Sequence, residues 1–190
     1  MADVKYIHAP FDEKTARSLR AGDIVRIEGT LLAARDCAHK RMVEYLDLGK
    51  TLPVDLDGQV IYYVGPSPAK KGEVIGSAGP TTSGRMDSYT PRLLAEGVRG
   101  MIGKGYRGKA VIEAMQRYGV PYLVAVGGAG ALIARSIKTY RVLAWEELGT
   151  EALAAMEVKD FPAIVAIDCE GNNYYEIGQA LYRQDFHAFS

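Results

Sequence analysis

Gly97-Val98-Arg99-Gly100-Met101-Ile102, then Lys109-Ala110-Val111-Ile112-Glu113-Ala114-Met115-Gln116-Arg117-Tyr118, then Pro121-Tyr122-Leu123-Val124-Ala125-Val126 follow one another between positions 97 and 126. The first and third segments are apolar runs of strand length. The middle one sets Val111, Ile112, Met115 and Tyr118 on one face at helical spacing. Strand, helix and strand in this order predict parallel strands with helical cover, and therefore an α/β fold.

The pattern extends in both directions. Downstream, the glycine-rich Gly127-Gly128-Ala129-Gly130 precedes a helical turn at Ala131–Ile137, a strand at Arg141–Trp145 and a polar turn at Glu146–Glu151. Further strands are predicted near Ala152–Val158 and Ala163–Asp168, with a turn at Glu170-Gly171-Asn172-Asn173. Upstream, Thr90–Ala95 reads as a helix, and Val60–Gly65 as a strand closed by Pro66 and Pro68. Asp23–Thr30 alternates in strand fashion into Leu31–Ala34, and a helical pattern then runs to about Leu48 with Asp36 as its expected N-cap. Residues 1–22 are polar and read as irregular apart from a short helix at Phe11–Leu19. The first third holds more strand than a doubly wound fold needs. A central, partly parallel sheet with a second mixed or antiparallel sheet is therefore expected, within one domain over 1–190.

Composition bounds the function. The chain has 190 residues, 48% hydrophobic and 24% charged, which is an ordinary globular balance with enough apolar material for one sizeable core. Lys plus Arg and Asp plus Glu number 23 each, so bulk charge argues against nucleic acid or an anionic membrane as partner. No apolar run approaches the roughly 18 residues of a membrane-spanning helix, and no signal core follows Met1. Cys37 and Cys169 lie far apart without metal-ligand spacing, so no metal site is expected, and a reduced, cytoplasmic protein is.

Chemistry concentrates in Ser77-Ala78-Gly79-Pro80-Thr81-Thr82-Ser83-Gly84-Arg85-Met86-Asp87. The loop leaves a short apolar run ending at Ile75 and leads toward the helix at Thr90–Ala95. Loops at such strand ends hold ligands in open α/β sheets. Gly79, Thr81, Thr82 and Ser83 offer close backbone approach and hydroxyls, and Arg85 offers a planar fork of donors suited to a carboxylate. The alternative is a surface turn whose hydroxyls bond their own backbone. It is not a Walker A loop, because no Gly-Lys-Ser/Thr follows.

Two further clusters compete for attention. Gly103-Lys104-Gly105-Tyr106-Arg107-Gly108 matches the dinucleotide glycine pattern, but Lys104 and Arg107 crowd it and no acidic residue closes the next strand near 126. Lys104 is better read as a strand-end ammonium sharing the crevice of Arg85. Arg35-Asp36-Cys37-Ala38-His39-Lys40-Arg41 spans a strand-to-helix junction, and Arg35 stands where the helix dipole favours an anion. His39, Lys40 and Arg41 are expected on a solvated helix face, and Cys37 as a thiol without ligand partners. Arg35, Arg85 and Lys104 with the Thr81 hydroxyl suit a small dicarboxylate better than a nucleotide. No His–Asp pair and no nucleophile beside a base accompanies them.

Residues 29–41 (Gly-Thr-Leu-Leu-Ala-Ala-Arg-Asp-Cys-Ala-His-Lys-Arg), the block 77–87 and Met101-Ile102-Gly103-Lys104-Gly105 resemble, in order and spacing, the C-terminal domain of class I fumarases. That domain is equivalent to the β subunit of two-subunit iron–sulfur fumarases and L-tartrate dehydratases. The resemblance covers nearly the whole chain, and the eleven-residue block is its most specific part. It implies a three-layer swivelling β/β/α domain and a hydro-lyase that reversibly hydrates fumarate to L-malate, or dehydrates tartrate. It further implies a [4Fe–4S] cluster held by three cysteines of an α partner subunit, none bound by this chain, and either an αβ hetero-oligomer or a homodimer of isolated chains. Carried onto these positions, the pattern assigns Arg35, Arg85 and Lys104 to the substrate carboxylates and proton abstraction to Thr81. A non-catalytic dicarboxylate-binding or assembly domain and a nucleotide-dependent oxidoreductase are the alternatives from other classes.

Overall fold

The computed structural model describes residues 3–125 and 130–178. The glycines at 127–128 and Ala129, noted above, lie outside the described residues. Among the described residues seven strands and five α-helices follow one another, alternating up to β6: β1 (Val4–Ala9), α1 (Glu13–Ser18), β2 (Ile24–Ala33), α2 (Asp36–Asp47), β3 (Val60–Tyr62), α3 (Thr90–Ala95), β4 (Gly100–Gly103), α4 (Lys109–Tyr118), β5 (Tyr122–Val124), α5 (Gly130–Ser136), β6 (Ile137–Ala144) and β7 (Leu153–Ile167). 3-10 segments occupy Ser83–Met86 and Glu146–Glu151, the latter kinked at Gly149.

All strands join one sheet in the order β1-β2-β3-β4-β5-β7-β6. Pairs from β1 through β5 are parallel, and β7 runs antiparallel to β5, β6 and β2. The expected antiparallel part is therefore hydrogen-bonded into the same sheet and does not stand apart as a second one. Because β7 pairs both with β5 and back onto β2, the path β2-β3-β4-β5-β7 closes into a ring.

The period of two along each strand feeds two cores. Val25, Ile27 and Leu31 of β2, Val60 and Tyr62 of β3, Leu123 of β5 and Met156, Phe161 and Val165 of β7 fill the first. Their sequence neighbours Leu32, Ile61, Tyr63, Met101 and Tyr122 face the second, under Ala38 and Met42 of α2, Leu93 and Leu94 of α3, and Val111 and Met115 of α4. β3 and β4 are buried on both faces, which is why they read as continuous apolar runs.

Three further expectations need correction. Residues 4–9, read as irregular, form strand β1, an edge strand whose exposed outer residues, Tyr6 among them, erase the alternation. β7, read as two strands, is one strand with a bulge, where Lys159 and Asp160 oppose Glu28 and Asp160 adopts φ 55°. Asp36 is the first residue of α2 and not its N-cap. Arg35 occupies the cap without a side-chain capping bond, and Glu151 accepts the Cys37 N–H at 3.0 Å in its place.

Candidate active site

The C-terminal ends of β2, β3 and β4 converge on one edge of the sheet, and each carries part of the site. β2 ends at Ala33, so Arg35 and the start of α2 follow directly. β3 is followed by Tyr63, whose carbonyl accepts the Thr81 N–H at 2.8 Å, and the Tyr62 hydroxyl donates to the Ala78 carbonyl. β4 is followed by Lys104, which forms a parallel bridge with Thr82. The 77–87 loop is thus stitched by its backbone across the ends of two parallel strands, and is not a free surface turn.

Its closeness to β4 has a steric origin. Gly103 lies so near Ser83 that a Cβ there would stand 2.0 Å from Ser83 Oγ. At the other end of the loop, a Cβ at Gly79 would stand 3.7 Å from Gly130 Cα, and the Ala78 N–H donates to the Gly130 carbonyl.

Arg35 and Arg85, fifty positions apart in sequence, meet at Asp36. Arg85 Nε donates to Asp36 Oδ1 at 2.7 Å, and Arg35 Nε donates to Asp36 Oδ2 at 3.1 Å. Arg35 Nη2 also pairs with Glu151 Oε1 at 3.5 Å. Burial pushes the Asp36 carboxyl up, but its own backbone N–H and the two guanidinium groups hold it below the ordinary carboxylate value. Arg85 remains half exposed, and Lys104 is exposed and makes no salt bridge among the described residues.

Thr81 is half-buried and Thr82 exposed; neither hydroxyl has a hydrogen-bond partner among the described residues. Ser83, grouped with them above as a substrate ligand, is fully buried. Its Oγ bonds the Tyr122 hydroxyl at 2.9 Å and accepts the Lys104 N–H at 3.1 Å. Ser83 thus braces the Lys104 backbone, whereas Thr82 is exposed and Thr81 and Gly79 are partly so.

His39, expected on a solvated face, is fully buried against Tyr63, with ring centroids 5.1 Å apart. Its Nδ1 lies 3.0 Å from the Arg35 carbonyl, and Nε2 has no partner. Burial lowers its pKa to about 4, so the imidazole is neutral at pH 7 and the lone pair of Nε2 is stranded. Arg41 pairs with Glu147 and lies over the Trp145 ring, whereas Lys40 is solvated as expected. Cys37 is exposed, and Glu151 raises its thiol pKa.

Arg107 is the residue whose part the sequence reading missed. Its side chain turns beneath the site, stacks over Tyr63 and Tyr122 at 5.2 and 5.1 Å, and donates to Thr90 Oγ1 at 2.8 Å and to the Tyr63 hydroxyl at 3.2 Å. Asp87 Oδ1 faces its Nε at 2.9 Å, and Asp87 Oδ2 accepts the Gly108 N–H. No group of three or more His, Cys, Asp or Glu among the described residues is arranged to hold a metal ion. With only two cysteines, one exposed and one buried, the donor set does not fit an iron–sulfur cluster. Among the described residues no helix is long and apolar enough to cross a membrane.

The family model described as Fumarase C-terminus matches residues 3–178. Fumarate hydratase 2 of Leishmania major is 43% identical over 156 residues, covering 81% of this chain but 28% of its own length. The aerobic class I fumarate hydratase of Escherichia coli K12 is 41% identical over 152 residues, again covering 28% of its length. The chain therefore spans little more than a quarter of these relatives. A Methanocaldococcus jannaschii protein with the provisional name L(+)-tartrate dehydratase subunit beta is 38% identical over 188 residues, covering 95% of this chain and 96% of its own.

Proposed function

The chain belongs to the fumarase C-terminus family, and from that premise we propose that it is the β subunit of an iron–sulfur hydro-lyase, a class I fumarate hydratase. The observation that carries this reading is the convergence of Arg35 and Arg85 on the edge where β2, β3 and β4 end, beside an exposed Lys104. Two cores, one inside the closed ring and one beneath α2, α3 and α4, support the finer description as a three-layer swivelling β/β/α domain spanning 1–190.

Elimination of water from malate removes a proton from the carbon beside one carboxylate, which takes on enolate character. Fixed cations stabilise that charge most where solvent is excluded, and Lys104 with Arg35 supplies them. The remaining carboxylate needs orientation, which the outer edge of the Arg85 guanidinium provides bidentately. Thr81 Oγ1 takes the proton in this scheme. A threonine hydroxyl becomes a base only when a neighbour removes its own proton, and in this reading a carboxylate of the partner chain does so. The [4Fe–4S] cluster is assigned to the same α partner, because this chain lacks a ligand set for it.

Assay of the chain alone and with its α partner tests the reading. Fumarate hydration should appear only on assembly; turnover of malate by the isolated chain overturns the split site. Arg85→Ala in the assembled enzyme should weaken substrate binding by about 1.5–3 kcal/mol, the value of a charged hydrogen bond. Activity equal to wild type removes Arg85 from the clamp. The nearly end-to-end match with the subunit beta protein favours a second reading, L(+)-tartrate dehydratase, and kcat/KM for tartrate against malate decides between the two. Dicarboxylate affinity without α, unaffected by assembly, would instead mark a non-catalytic binding domain.

A further inference from the structure

Asp36 is negatively charged in a site that the reading above assigns to a dianion, and Glu151 stands beside it. Neither helps to attract such a substrate. Both are nonetheless tied to the clamp: Asp36 gives one oxygen to each arginine's Nε, and Glu151 gives Oε1 to Arg35 Nη2 and Oε2 to the Cys37 N–H that opens α2. The choice of Nε is informative. A bond at Nε fixes the plane of a guanidinium from its stem side and leaves Nη atoms for a planar ligand, both of them on Arg85 and Nη1 on Arg35, whose Nη2 faces Glu151. Both Nη atoms of Arg85 are without hydrogen bonds among the described residues.

Arg35 is further confined by a slot. A Cβ at Gly65 would lie 2.9 Å from Arg35 Cδ and Nη1 and 3.2 Å from the Thr150 carbonyl oxygen. The side chain therefore runs between the strand-end glycine on one side and the 3-10 turn carrying Glu151 on the other. Asp36 sits on the first turn of α2, where its charge also meets the positive end of the helix.

We propose that Asp36 is a positioning residue of the site, yoking Arg35 and Arg85 into a single planar-anion clamp, with Glu151 as the second tie on Arg35. The proposal rests on the dicarboxylate reading for its substrate, but the yoke itself is a property of this chain. Preorganisation by the yoke and simple electrostatics make opposite predictions. Asp36→Asn removes a negative charge beside a dianion, so charge alone would tighten binding. Loss of alignment loosens it.

Two measurements decide. In 15N spectra of the chain alone, the Arg35 and Arg85 Nε–H signals should persist in the wild type, and both should be lost to solvent exchange in Asp36→Asn with the backbone amide pattern retained. Unchanged Nε–H signals in that variant overturn the yoke. In the enzyme assembled with its partner, Asp36→Asn should raise KM for fumarate about tenfold, the scale of one charged hydrogen bond, and lower kcat as well. A KM that falls or stays constant overturns the positioning role. Asp36→Glu keeps the charge but not the reach, and should remain impaired; wild-type kinetics in that variant also count against the proposal. If the wild-type assembly turns over neither fumarate nor tartrate, the hydro-lyase reading fails, and the spectra of the chain alone still decide the yoke.

Discussion

His39 lies three positions before Met42 on the buried side of α2, and its neutral ring leaves Nε2 without a partner. Burial holds its pKa near 4 against an ordinary 6.5, with the nearby Arg107 charge acting in the same direction and the Arg35 carbonyl opposing. Between those two values the unfolded chain binds a proton that the folded chain does not, so stability falls as pH drops through the window. Full passage corresponds to about 3 kcal/mol. His39→Gln keeps a donor for the Arg35 carbonyl and removes the titration. Urea melts of the two proteins should therefore converge from pH 6.5 toward pH 4, and parallel stability curves would refute the buried neutral imidazole. Side-chain type misled the sequence reading at this position, where helical spacing pointed inward. Ser83, read as a substrate ligand, and Arg107, read only as crowding its glycine loop, are both buried, and their partners Tyr63, Thr90 and Tyr122 are distant in sequence.

Where a period of two or 3.6 survived, whole elements were legible. α3 and α4 were bounded to the residue because Leu93 and Leu94, and Val111 with Met115, mark one face. β1 was not, since an edge strand shows solvent its outer side, and the join within β7 was hidden by Asp160 and Pro162. The ligand loop was legible as a loop, but its seat was not: the seat depends on Gly103 letting Ser83 reach the end of β4. Gly103→Ala should destabilise by about 1–3 kcal/mol through overpacking. Ser83→Ala should lower stability too, because it removes the partner of the Lys104 N–H. The Gly103→Ala/Ser83→Ala double variant removes the atom at 2.0 Å, so its loss in a denaturant titration should be smaller than the sum of the two single losses. Strict additivity would mean that the two positions do not press on each other.

Ring closure makes β7 common to both halves of the molecule, because it completes the first core and pairs with β2, β5 and β6. Trp145, the only tryptophan, lies outside the ring against Tyr45 and Arg41. If the ring melts as one unit, Trp145 fluorescence and far-ultraviolet circular dichroism should give coincident unfolding transitions. Separate midpoints would show that the β6 flank opens independently. Nothing local in the sequence announces this closure, since its pairs run from Ile24↔Ile164 to Ala33↔Ala154. The same separation sets an order in time. On a ribosome adding about 5–20 residues per second, β2 emerges on the order of ten seconds before the strand that will complete its edge. Until β7 is made the nascent chain carries an unsatisfied strand, and Arg35 lacks its second tie, because Glu151 arrives only in the turn just before that strand.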